Sequence, residues 1–342
     1  MKKVYLFITL LLVAAIFGGC SSKSYFEPKK IDGKVDFDSK IGSKLISANA
    51  EGATMKNGQF VSKDGIGTFS LPTGYLFFSK NGSFVTAGND FGDVSVFDGA
   101  GKEVAKYKFD SKAATASSVG DGLLAVVTSD NSSILVDTNS SKLLFKQKNE
   151  SSFAVDAKIA APYFLNELVI FPTLDGKLFV VDTNEKKVVK DVVLSSEKNF
   201  NNVIFLGVID NRLIAATPTK VVSINPKYVN FLEADVTNII FIKDGVYVFT
   251  KDGKIILTDA DLKVLKEKKF PFARFVGVIY GKYIYAIEKE GYLIATDVNL
   301  ATSNTFKFTA PLYGLLENKF EGVLYTSGDS IFYDDKQFKL AK

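Results

Sequence analysis

The 342-residue sequence predicts an all-β fold, a β-propeller of eight four-stranded blades with seven as the alternative, and three observations predict it. One phrase returns along the chain, most plainly as DGKLFVVDTNEKK from Asp175 to Lys187: a turn, a six-residue apolar strand ending on an acidic residue, and a second polar turn. An apolar strand precedes each copy, and a strand rich in lysine follows it. Self-similarity at a steady period marks an array of one supersecondary unit, and it bounds the fold before any single element is read.

The residues that close the motif strand are Asp64, Asp98, Asp137, Asp182, Asn225, Asp259, Asp297 and Asp334, at intervals of 34 to 45 residues. An Asp or Asn there accepts backbone N–H groups in the following turn, so these eight are read as structural turn residues. Preceding strands include SFVTAG (Ser83–Gly88), LLAVVTS (Leu123–Ser129) and VYVFTK (Val246–Lys251), joined to the motif by Asp-Gly, Glu-Gly or Gly-Asp, which is hairpin chemistry. Following strands such as EVAKYKF (Glu103–Phe109) and KVLKEKKF (Lys263–Phe270) alternate lysine with apolar residues. Lysine blunts an open sheet edge, which makes these the outermost strands. The first strand of each unit, as in VIFLGVI (Val203–Ile209) or NIIFIK (Asn238–Lys243), is nearly all apolar and is predicted to be buried on both faces. Four strands graded from a buried inner one to a lysine-edged outer one, set radially, make a propeller blade. The competing β-helix gives no reason for that gradient.

Composition limits the chemistry. The chain is 46% hydrophobic and 23% charged, with 30 Phe and 14 Tyr, a globular and strand-favouring make-up. Net charge is +4, and only Arg212 and Arg274 are arginines, which is no footprint for nucleic acid. The absence of histidine excludes Ser-His-Asp and Cys-His catalysis and His-rich metal sites. Paired carboxylates at Asp334-Asp335 and at Asp259 and Asp261 fall in predicted turns. No catalytic set, metal site or cofactor is expected, and the chain is read as non-enzymatic.

Residues 1–20, MKKVYLFITLLLVAAIFGGC, have two lysines and then 14 apolar residues from Val4 to Phe17, too few to span a bilayer. The ending Gly18-Gly19-Cys20 resembles a bacterial lipoprotein signal. That resemblance implies removal of residues 1–19 and lipidation of Cys20, the only cysteine, with palmitate-type acyl chains. Residues 20–34 are then expected to be a flexible tether, and 35–342 a single propeller domain. Ser21 after the cysteine points to the outer membrane, periplasmic face, with the lipid anchor the only membrane contact.

The phrase GKLFVVD (Gly176–Asp182), with the turn closing in Gly-Lys as at Gly101-Lys102, resembles the repeat of the pyrroloquinoline-quinone-like (PQQ-like) propellers, over roughly residues 50–340. One branch of that family binds a quinone and a calcium ion, with tryptophans docking the blades and stacking on the cofactor, and this chain has no Trp and no adjacent cysteine pair. The other is the BamB family of outer-membrane lipoproteins that help to assemble β-barrel proteins. Similarity to it implies a non-catalytic periplasmic scaffold, a monomer within a complex, whose partner is the BamA-like assembly machinery. By composition the best contact patch is FPFARF, with Phe270, Phe272, Arg274 and Phe275, because aromatics and arginine dominate interface energetics. The competing reading is that these rings pack between blades. Two other functions stay open: a ligand- or cofactor-binding propeller using its central channel, and a surface-exposed adhesin.

Overall fold

A computed structural model describes residues 25–120, 122–152, 158–197, 199–309 and 319–340. The signal stretch 1–19 and Cys20 lie outside the described residues. Among the described residues there is no helix, and every sheet is a blade of one ring. Blade 1 spans residues 45–66, blade 2 76–108, blade 3 113–148, blade 4 163–193, blade 5 205–233, blade 6 236–269, blade 7 275–308 and blade 8 324–339. The count is eight, as the repeat predicts, and consecutive strands pair antiparallel within each blade.

The turn chemistry appears where the dipeptides place it. Gly176 and Gly253, second residues of Asp-Gly turns, have φ of 82° and 81°, a region open to glycine at no steric cost. At Gly253 a Cβ would also stand 2.2 Å from the Phe270 carbonyl oxygen.

Burial follows the radius. The two middle strands of a blade are the driest, as in Leu123–Thr128 and Ser132–Asp137, while outer strands such as Lys187–Val193 are mostly exposed. Of the first strands, those of blades 5 and 6 are not buried on both faces, contrary to the expectation from their apolar run, whereas Ala113–Ser118 of blade 3 is nearly all buried. Phe205–Ile209 and Val236–Ile242 alternate buried with half-open positions, because the innermost strand has no neighbour on its axial side and borders the central channel.

The core is divided among the blade junctions. Eight apolar clusters each draw on two neighbouring blades. Phe249, Ile255, Phe275 and Ile284 join blades 6 and 7, and Leu45, Val61, Tyr325 and Phe332 join blade 8 back to blade 1. The last junction shows that the ring is closed.

Closure comes from the N-terminal segment. Ser39–Lys40 pairs antiparallel with Lys336–Lys339 and supplies the outermost strand of blade 8. Just before it, Gly33–Val35 adds a fifth, parallel strand to blade 7, with Gly33 opposite Phe306 and Val35 opposite Phe308. Farther upstream, Phe26 is buried between Phe270 and Tyr292, ring centroids 6.5 and 5.5 Å away. Residues 25–34 are therefore not a free tether but a strap seated on the ring. An aromatic in an interblade gap and a row of strand hydrogen bonds outweigh the polar composition that suggested a linker.

Candidate functional site

The channel is the first place to look, because propeller ligands have only the axis or the rims to occupy. A cavity of about 590 Å³ lies between the inner strands of blades 5 to 8 and blade 1, with Phe205, Ile240, Val276 and Leu324 on its walls. Several of its polar groups bond to neighbouring backbone or side chains, while the buried Ser327 hydroxyl has no hydrogen-bond partner among the described residues. Lys158 Nζ donates to the Thr237 carbonyl (2.7 Å) and to Asn238 Oδ1 (3.3 Å). Asn49 Nδ2 donates to the carbonyls of Phe77 and Phe78. Among the described residues no group of three acidic, His or Cys side chains could hold a metal ion.

The repeat's acidic residues are spread around the ring, one per blade, and never converge. Six form the turn the sequence implies. Asp98, Asp137, Asp182, Asn225, Asp259 and Asp297 each accept backbone N–H groups two to five residues ahead, for example Asp259 from Asp261 (3.0 Å) and Lys263 (2.9 Å). Hydrogen bonds from Thr302 hold the Asp297 carboxyl well below the usual carboxylate range. Asp64 and Asp334 differ: Asp64 is exposed and pairs with Lys80, and Asp334 is buried, at φ 54°, and pairs with Lys44 at 3.0 Å. Both belong to blades whose outer strands are irregular, a two-residue strand in blade 1 and the N-terminal graft in blade 8.

The aromatic patch does not present itself as one surface. Phe270 and Phe275 are buried at the junction of blades 6 and 7, 6.3 Å apart and nearly perpendicular, so as partner contacts these two are corrected to core. Phe272, at φ 65°, is 59% exposed, and Arg274 is exposed while its backbone N–H donates to Glu288 Oε1. Between this connection and the strap runs an open groove of about 980 Å³, bordered by Tyr25, Lys29, Lys30 and Phe272.

Two clusters carry little signal in the sequence. Arg212 Nε donates to Asp261 Oδ1 at 2.7 Å, and its Nη2 donates to Asp261 Oδ2 and to the Tyr228 hydroxyl. Its rarity among forty lysines is the one clue to it. The other is Glu288, fully buried at the end of a middle strand of blade 7. Blades 3, 4 and 6 hold Thr128, Thr173 and Thr250 there, each hydroxyl closing its hairpin on the residue four ahead. Glu288 instead accepts the N–H groups of Arg274 and Glu290, and burial pushes its carboxyl up to about 7.

These features define an eight-bladed ring of PQQ-like repeats, closed by the strap. Over residues 52–299 the sequence matches the family described as outer membrane protein assembly factor BamB, and the chain belongs to that family. Two curated relatives, both named plasminogen-binding protein PgbB and from two strains of Helicobacter pylori, are 28% identical to it. The alignments take in 96% and 98% of this chain and 69% and 70% of those proteins. Among solved structures, BamB from Moraxella catarrhalis superposes with a TM-score of 0.63 at 14% identity, over 88% of this chain and 99% of that one. The C-terminal WD40 domain of Sif2 gives 0.64 at 12% identity, over 92% and 100%. At these identities the superpositions speak for the fold.

Proposed function

We propose that this protein is a non-catalytic scaffold, held by lipidated Cys20 at the periplasmic face of the outer membrane, where it binds a component of the machinery that assembles β-barrel proteins. One observation carries the protein-contact part. Beside their lysines, the outer strands of blades 4, 5 and 6 carry Val189, Val193, Phe231 and Leu265 at 52% to 64% exposure. Exposed apolar side chains grouped on one sector of a soluble domain mark an interaction surface. Membership of the BamB family supports a barrel-assembly partner. Phe231→Ser with Leu265→Ser should abolish co-purification of that partner while leaving the urea midpoint unchanged. Undiminished co-purification would refute the assignment.

A second reading, a surface-exposed lipoprotein that binds a host protein, is favoured by the name of the two Helicobacter relatives. Protease treatment of intact cells separates the two, because a periplasmic chain is spared and a surface chain is cut. Purified plasminogen retained by the immobilised chain would favour the second. The absence of catalysis is tested by equilibrium dialysis against quinone and calcium, with no retention expected.

A further inference from the structure

The strap fixes more than ring closure. If Cys20 carries acyl chains, as the function proposed above supposes, only Ser21 to Tyr25 separate it from Phe26, which is locked between Phe270 and Tyr292. Six peptide steps reach about 20 Å when fully extended. A propeller on a leash that short cannot stand away from the bilayer, and the sector around Phe26 must be the one nearest to it.

The surface in that sector suits a headgroup layer. Tyr25 is 46% exposed, Ile31 49% and Phe272 59%, and Tyr25 and Phe272 border the same open groove. Lys29, Lys30 and Lys269 border it against Glu27 and Asp32, and Arg274 is exposed on the same connection as Phe272. Lys30 is answered by Asp32, but among the described residues neither Lys29 nor Arg274 pairs with a carboxylate. Amphipathic aromatic rings beside unpaired cations are the composition of membrane-interface contacts, where rings enter the acyl boundary and cations meet anionic headgroups.

We propose that the edge of the ring between blades 6 and 7, with Tyr25, Lys29, Ile31, Phe272 and Arg274, is a second, peripheral contact with an anionic lipid surface. The ring then stands with this edge on the membrane and blades 2 and 3 pointing away from it. The rest of the rim is left to protein partners.

The mature lipidated chain has no free thiol once Cys20 is acylated, so single cysteines can report on position. Phe272→Cys, Lys29→Cys and, on the far side of the ring, Ser140→Cys would each carry an environment-sensitive fluorophore. The chains would be reconstituted in vesicles of phosphatidylethanolamine and phosphatidylglycerol containing a headgroup quencher. Quenching at positions 29 and 272 several-fold stronger than at 140, and reduced when the phosphatidylglycerol is left out, is the expected result. A chain that floats with the vesicles but shows equal quenching at all three positions overturns the lipid contact and leaves the anchor standing. A chain recovered without acyl groups, and free of the vesicles on flotation, overturns the anchor and the contact that depends on it.

Discussion

Glu288 makes the stability of this protein depend on pH in a direction opposite to most carboxylates. Its side chain is fully buried, and burial pushes the carboxyl from 4.5 to about 7 against the pull of two accepted backbone N–H bonds. Glu290 beside it adds to the rise, and Lys307 opposes it. A pKa raised on folding means that the folded state prefers the proton. The contribution is fully present below pH 4.5 and is lost as pH rises through 7. A gap of about 2.5 units at 1.36 kcal/mol per unit is worth ~3 kcal/mol. Glu288→Gln keeps the shape and cannot ionise, though its amide nitrogen meets one backbone N–H, a constant cost of ~1 kcal/mol at every pH. Urea midpoints of both proteins at pH 4.5 and pH 8 give the test. Carboxylates held low in the fold, such as Asp175 and Asp297, pull stability the other way in acid, but equally in both proteins, so the difference isolates position 288. The native chain should lose ~3 kcal/mol more than the variant between the two pH values. Parallel curves would show that the carboxyl titrates near its ordinary value and that the junction is wetter than its packing implies.

Phe249→Ala empties a fully buried site between blades 6 and 7, where the ring meets Phe275 edge to face, and should cost ~3–5 kcal/mol in urea unfolding. Asp259→Ala leaves two turn N–H groups without their acceptor and should cost ~1 kcal/mol by thermal shift, whereas Asp64→Ala removes only an exposed ion pair with Lys80 and should change stability by less than ~0.5 kcal/mol. Phe26→Ala should speed hydrogen exchange at Gly33–Val35 while blade 3 exchanges as before; unchanged exchange would mean that strand pairing alone seats the strap.

The ring was legible because its determinants are local. A hairpin is specified by Asp-Gly at a fixed offset from alternating or continuous apolar strands, and an outer edge by its lysines, so each blade announces itself within about forty residues. The turn role of Asp259 could be read from its position at a strand end, and the structure supplies the two N–H donors. What the sequence hid was set by partners far along the chain. Nothing local in YFEPKK tells Phe26 apart from a linker residue, since its pocket is made by Phe270 and Tyr292. Phe270, Phe272 and Phe275 look alike in the sequence, yet a left-handed backbone at Phe272 turns one ring out while its neighbours pack inward. Glu288 could have been caught by aligning the repeats, because it breaks a position that Thr128, Thr173 and Thr250 share. A buried acid is visible only as a departure from the blade rule.

Closure by the strap joins two properties that the sequence presents as separate, the anchor and the ring. Gly33–Val35 and Ser39–Lys40 pair with strands about three hundred residues later in the chain, and between them Phe37 stacks on Phe308 and lies over Tyr333. These are the strand pairings of longest sequence separation in the ring, and loop closure over such a span carries an entropic cost. The same segment is the one that leads back to Cys20. On the proposed lipidation of Cys20, any load from the membrane would enter the propeller through the strands that close it, and loosening the strap would both lengthen the leash and expose the outer edges of blades 7 and 8. A free linker followed by a ring closed elsewhere would keep those two events independent. Here the seat of Phe26 stands between Cys20 and the seam, so with Cys20 lipidated as proposed, tension would have to extract a buried aromatic ring before it reached the closing strands.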